Sequence, residues 1–466
     1  MSGERTAPLW QLSASELAAY YGPGTTTPQE VLAATLERVE EVNPRLNALI
    51  TLNRDGARVA ATASTERWRA GQARGPLDGV PITIKDSLLV AGLRATWGSR
   101  LYADHVPQTD ETPVARLRGA GAVILGKTNV PEFTLQSYTD NPLFGPTRNP
   151  WNTDLTPGGS SGGAVAAVAA GLGALAIGTD GGGSIRRPAS HTGLVGFKPS
   201  RGAVPRDGGF PAILLDFEAA GPIARCVDDI IAAMCVIGAP SATGSSSDET
   251  VARCRVLFAP TFGDAPVDPE IAASVAAAAA ELDRQGHWVT QAAHFDLADA
   301  IGDIWPIVSQ TGVAWLLSRH ADWKGNVGSA IAAMAEAGAK LSAAQYLGAL
   351  DAVAGMRRRF AQHFGPYDLL LTPTAAALPW PATETHPPMI AGQSVGPRGH
   401  AVFTPLANAL GLPAISLPCA PSSRGLPIGF QLVAREGADA LLLSVARDYE
   451  RKAGLRYRWP KDPGDC

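Results

Sequence analysis

Apolar positions along the chain recur with two different periods. In residues 25–50, "TTTPQEVLAATLERVEEVNPRLNALI", Leu32, Leu36 and Val39 return on one helical face. The helix start is marked three ways: Thr27 can cap, Pro28 suits the first helical position, and Glu30 completes a capping box. Elsewhere the apolar runs are short. "GVPITIKDSLLVAG" is a β-rich run around Lys85. "VARLRGAGAVILGKTN" reads as a helix end, a glycine stop and a buried strand from Ala122 to Leu125. "GLVGFKPSRGAV" predicts a strand and a turn, "YDLLLTPT" and "LPAISLP" core strands, and "DALLLSVARDYERKAG" a closing helix. The small-apolar run from Ala164 to Gly178 is short for a membrane span and reads as a buried helix.

Alternating strands and helices predict an α/β layer fold. From Val236 to about Gly365 the texture changes: a polar loop, "GAPSATGSSSDET", precedes alanine-rich helices without recognisable chemistry. No internal repeat or long linker divides the chain. A single domain over residues 1–466 is therefore expected, with a variable helical elaboration at about 236–360.

Composition changes this picture little. Of 466 residues, 45% are hydrophobic and 18% charged, ample for a large core. A net charge of -4 and a pI near 6.1 give no basic field for nucleic acid or an anionic membrane. Five cysteines, Cys226, Cys235, Cys254, Cys419 and Cys466, include no C-x-x-C pair, which fits reduced thiols in a cytoplasmic protein. The first residues lack a signal-peptide pattern. No His, Cys or carboxylate cluster has zinc-ligand spacing, so no metal site is expected.

The chemistry concentrates in "GTDGGGSIRRP", Gly178 to Pro188. Three consecutive glycines are costly to order, so something should need backbone amides brought close. Ser184 could be a nucleophile, but the nearest histidine, His191, stands seven positions on. Two familiar patterns nearby are deceptive. "GAVILGKT" has the letters of a phosphate-binding P-loop, yet its four intervening residues are themselves strand. "GGSSG" has the letters of a nucleophile elbow, but "NPWNTDLTP" before it is loop rather than a hydrophobic strand.

A third reading needs several pieces together: Gly159-Ser160-Ser161-Gly162-Gly163, an alanine-rich helix, the Thr179–Arg186 segment, and Lys85 in "PITIKD". This constellation resembles the amidase signature family. The resemblance extends through "LRGAGAVILGKTNVPEF", "DNPLFGPTRNPWN", "TGLVGFKP", "YDLLLTPT" and "GLPAISLP…GLPIGFQLV", in order, over nearly the whole chain except about residues 236–360. It implies an α/β/α domain with a mixed central β-sheet covered by helices. It also implies cofactor-independent hydrolysis of the amide bond of a small molecule through a serine acyl-enzyme. By the same motifs Ser184 is the nucleophile, Ser160 the bridging serine and Lys85 the base.

A lysine is a base only when neutral, and its unperturbed pKa lies near ~10.4. Burial lowers that value, and Val80, Pro81, Ile82 and Ile84 offer an apolar lining. Adjacent Asp86 would oppose the shift, but successive strand residues face opposite ways. Backbone N–H groups of Gly181, Gly182, Gly183 and Ser184 are the expected oxyanion hole. Asp180 and Arg186 are expected to brace the loop by pairing. Thr134, Gln136, Ser161 and Arg187 are candidate substrate contacts. The resemblance to malonamidase gives Arg187 the sharpest role, holding a substrate carboxylate; the plainer reading is a salt bridge within the protein. His191 is expected near the sheet rather than in catalysis. The alternative function is that of an A-type component of a glutamyl-tRNA amidotransferase complex, supplying ammonia to its partners. Against it, "PRDGGFPAILLDFEAAGP" is less polar than that subgroup's pattern. A homodimer is the default oligomeric expectation.

Overall fold

The computed structural model of the chain describes residues 7–239 and 252–461. In chain order its strands are β1 (Leu49–Leu52), β2 (Pro81–Lys85), β3 (Val123–Thr128), β4 (Leu175–Asp180), β5 (Val195–Lys198), β6 (Ala219–Ala224), β7 (Arg255–Phe258), β8 (Trp288–Gln291), β9 (Leu369–Pro373), β10 (Met389–Ile390), β11 (Gln393–Ser394), β12 (Ala414–Cys419) and β13 (Ile428–Ala434). All but the small hairpin β10–β11 join one sheet, in the order β1-β3-β2-β4-β6-β5-β12-β13-β9-β7-β8. Strands β3, β2 and β4 are mutually parallel, as are β9, β7 and β8. The pairs from β4 through β6, β5, β12 and β13 to β9 are antiparallel.

Parallel strands need helical crossovers, and these cover both faces of the sheet. Every residue of β2, β3 and β4 is accordingly buried. The two-residue period sorts their side chains: Ile82, Ile84, Ile124, Leu175 and Ile177 enter one apolar cluster, whereas Val123 and Leu125 enter another on the opposite face. The helix Pro28–Leu46 opens with the capping box of Thr27 and Glu30 and buries Leu32, Leu36 and Val39.

Two expectations from the sequence are corrected. The run from Ala164 to Gly178 is not one helix. The helix Gly162–Ala169 ends, Gly171 and Gly173 adopt φ of +80° and +139°, and the chain re-enters the sheet as β4. Because the entire run is buried, it has no polar positions whose period could distinguish helix from strand. The segment expected as a helical elaboration also carries β7 and β8, which extend the main sheet beyond β9. Its helices include Pro269–Arg284, Ile301–Leu317, Ser329–Gly338 and Ala343–His363. Most of the polar loop read at 238–250 lies outside the described residues. Among the described residues, no helix is long and apolar enough to cross a membrane.

Candidate active site

Three chain segments converge where β2 and β4 end. Lys85 closes β2 with its side chain fully buried. Its Nζ lies 2.8 Å from Ser160 Oγ, 2.8 Å from Thr179 Oγ1 and 3.0 Å from the Thr179 carbonyl oxygen. Ser160 follows a cis peptide bond from Gly159 and directly precedes Ser161, the N-cap of helix Gly162–Ala169. That helix and β4 fold back on one another. A Cβ on Gly178 would sit 3.0 Å from Ser161 Oγ, so glycine permits the close approach. The Ser161 N–H then donates to the Ser184 carbonyl at 3.2 Å, tying the two serine-bearing loops together.

The Ser184 hydroxyl makes no hydrogen bond among the described residues, and the residue is 7% exposed. The structure therefore joins Lys85 to Ser160 directly, and Ser160 to Ser184 through their loops rather than through a hydroxyl-to-hydroxyl bond. Burial disfavours the Lys85 ammonium and brings its pKa down to about 7, against the upward pull of Glu218 and Asp180. Asp86 is turned away, accepting from Thr96 N–H at 2.9 Å and Thr96 Oγ1 at 2.6 Å and facing Lys127 Nζ at 3.3 Å.

Asp180 shapes the glycine loop. It accepts from the Gly183 N–H at 2.6 Å and the Ile185 N–H at 3.2 Å, and pairs with Arg186 Nε at 2.9 Å. Burial alone would raise the Asp180 pKa, but the Arg186 guanidinium outweighs it and holds the carboxylate well below the usual range. Arg186 also reaches Gln431 Oε1 at 3.0 Å and Asn408 Oδ1 at 2.6 Å. This pairing removes Gly183 from the expected oxyanion set, because its N–H points at Asp180. The N–H groups of Gly181, Gly182 and Ser184 make no hydrogen bond among the described residues, leaving three donors free. Gly183 has φ of +109°, and a Cβ there would meet Thr404 Oγ1 at 2.1 Å.

The remaining candidates divide. Arg187 is buried and forms no salt bridge among the described residues. Its terminal nitrogens donate to the Gly182 carbonyl, to Thr404 Oγ1 at 2.8 Å and to Ser137 Oγ at 3.2 Å, while Nε has no partner among the described residues. Burial lowers its pKa to about 9. The salt bridge offered as its plainer role is thus not formed among the described residues. Ser161 Oγ donates to the Thr179 carbonyl at 3.2 Å and does not face open space. The Thr134 hydroxyl donates to the Phe133 carbonyl at 2.5 Å and accepts from Trp97 Nε1 at 3.4 Å. Gln136 is half-buried, its amide without a hydrogen bond among the described residues. His191 is buried against the Ala377 carbonyl at 3.2 Å, and burial lowers its pKa to about 4.

Sequence reasoning missed several supporting groups. Thr179, two of whose oxygens hold Lys85, stands inside the glycine motif without drawing notice there. Thr404, Asn408 and Gln431 lie more than two hundred residues further on and carry no local signal. Trp305, from the helical segment, walls the loop: a Cβ on Gly182 would meet its ring at 3.0 Å.

The protein-family model for amidases matches residues 30–443. The chain belongs to the amidase signature family. Among curated amidases and relatives, it is 35% identical to an acylamidase of Rhodococcus erythropolis, covering 98% of both chains. It is 36% identical to the A-type subunit of the glutamyl-tRNA(Gln) amidotransferase of Moorella thermoacetica, covering 97% of this chain and 99% of that one. The crystal structure of a bacterial aryl acylamidase of the amidase signature family superposes with a TM-score of 0.86 at 29% identity, covering 96% and 98% of the two chains. The mixed α/β sheet flanked by helices is the architecture of these enzymes.

Proposed function

We propose that this amidase hydrolyses the amide bond of a small molecule through an acyl-enzyme on Ser184, with Ser160 and Lys85 as its proton relay. The observation that carries this reading is a fully buried lysine 2.8 Å from a serine hydroxyl. In the neutral amine, Nζ gives its two hydrogens to the Thr179 carbonyl and Thr179 Oγ1, and its lone pair remains for the Ser160 O–H. Ser184 Oγ attacks the carbonyl carbon. Its proton passes to Ser160, whose own proton passes to Lys85. The developing oxyanion faces the free N–H groups of Gly181, Gly182 and Ser184, each worth about 10²–10³ in rate. Collapse breaks the carbon–nitrogen bond, with the Lys85 proton returned along the relay to the departing amine. Water then repeats the sequence on the ester.

Ser184→Ala should leave the melting temperature unchanged and abolish turnover of primary and anilide amides; retained turnover would refute the assignment. For the substrate, the decisive comparison is ammonia release from amides of equal size, with and without a second carboxylate. Arg187 forms no ion pair with an acid among the described residues, which favours a carboxylate-bearing acyl group. An Arg187→Ala enzyme that keeps full preference for carboxylated amides would exclude that role.

A second reading has support from the amidotransferase components among the relatives. In that case the protein delivers ammonia within a complex. Turnover of amides by the purified chain without any partner would decide for the free-standing amidase.

A further inference from the structure

The reaction requires Lys85 to gain a proton inside the protein, and a buried ammonium needs a counter-charge. Asp180 is not available, because Arg186 neutralises it at 2.9 Å, and Asp86 is turned towards Lys127. A further set of charged groups is reached from Lys85 through Thr179. Thr179 Oγ1, which holds Nζ, is 3.4 Å from Ser87 Oγ. Ser87 lines a cavity of about 190 Å³ together with Glu111, Arg206 and Glu218.

Those three residues form one cluster. Arg206 Nε donates to Glu111 Oε1 at 2.7 Å, and Arg206 Nη1 donates to Glu218 Oε1. The Glu111 side chain is fully buried, and those of Arg206 and Glu218 are 20% and 19% exposed. The pairing of Asp180 with Ala219 across β4 and β6 sets Glu218 opposite Gly181. A Cβ on Gly181 would lie 3.7 Å from Glu218 Oε2, and that oxygen carries no hydrogen bond among the described residues.

We propose that the Glu111–Arg206–Glu218 cluster is the counter-charge of Lys85. Two carboxylates and one guanidinium leave one net negative charge, so the set is neutral only when Lys85 holds the proton taken from Ser160. Glu218 is the positioning residue of this device; it acts through Lys85 and touches no reacting atom. The direction of its influence agrees, since Glu218 is the foremost charge opposing the effect of burial on Lys85, ahead of Asp180, with Arg206 acting the other way. This inference rests on Lys85 being the base of the proposed reaction.

The test is Glu218→Gln in the full-length enzyme, with two readouts. The first is the titration of the Lys85 side chain followed by its 13Cε shift, assigned with Lys85→Arg. The second is the acid limb of kcat/KM for amide hydrolysis. Loss of the negative charge should move both midpoints to lower pH by about half a unit to one unit, within the range of neighbouring-charge effects. Activity at pH 6 then rises severalfold relative to the plateau. Glu218→Asp should restore both midpoints. A Lys85 midpoint that does not move in folded Glu218→Gln overturns the proposal. If the Lys85 midpoint moves and the acid limb does not, the counter-charge stands and Lys85 is not the base. Should Glu218→Gln fail to fold, Glu111→Gln removes the same charge across Arg206 and should shift the Lys85 midpoint in the same direction by less; no shift there overturns the proposal equally.

Discussion

Replacing Asp180 by asparagine tests how the glycine loop is held. The exchange keeps the side chain's shape and removes its charge, leaving Arg186 as an uncompensated cation with no exposed side-chain surface. Removing one partner of a buried pair costs about 3–5 kcal/mol. For a chain of 466 residues, an unfolding entropy of about 2.1 cal/mol/K per residue gives roughly 1 kcal/mol per degree near the midpoint. The expected fall in Tm is therefore about 3–5 °C, read by scanning calorimetry at one fixed scan rate. The pH dependence follows from the direction of the shift. Asp180 is held below the usual carboxylate range, so its contribution is complete above the unfolded-state pKa of ~3.9 and is lost only as pH falls through the folded value. The gap between wild type and variant should be level above about pH 8, where Lys85 and Lys198 are neutral in both proteins, and should close in acid as Asp180 is protonated. The asparagine amide, with a single acceptor oxygen, can no longer accept from the Gly183 and Ile185 N–H groups together with Arg186 as the carboxylate does. The oxyanion donors shift, and kcat should fall by about 10²-fold. A variant melting within about 1 °C of wild type with kcat unchanged would refute the claim that this pair shapes the site.

Other consequences follow from the same geometry. Hydrolysis should rise with pH through about 7 as Lys85 loses its proton, and Lys85→Met should abolish turnover at every pH; a folded Lys85→Met enzyme that remains active would exclude the lysine as base. Thr179→Val removes the hydroxyl 2.8 Å from Lys85 Nζ and should lower kcat by about tenfold with KM little changed, measured by steady-state kinetics. Gly183→Ala introduces a Cβ 2.1 Å from Thr404 Oγ1 at a positive φ, so activity should be lost even where circular dichroism shows a folded protein. His191→Ala should lower Tm while leaving the pH profile of kcat in place, since the ring is neutral across the working range and bonded to the Ala377 carbonyl.

The chain's local chemistry was largely legible from the sequence. Thr27, Pro28 and Glu30 specify a helix start through contacts spanning three residues, and the structure forms that cap. The glycine run, Ser184, the paired serines and Lys85 were visible as motifs because each occupies a fixed place in a short segment. Tertiary structure decided what those groups can do. Whether Ala164 to Gly178 is helix or helix-then-strand depended on burial from every side, which erases the pattern of polar positions. The Gly183 N–H was given to Asp180 by a loop closed through Arg186, Asn408 and Gln431, partners with no nearby sequence signal. The proton affinity of Lys85 is the clearest case. Its residue type fixes an ordinary value near ~10.4, but desolvation and charge depend on everything packed around it. Only the folding together of β2, β4, the serine loops and the Glu218 side of the sheet produces a lysine that can be neutral near pH 7.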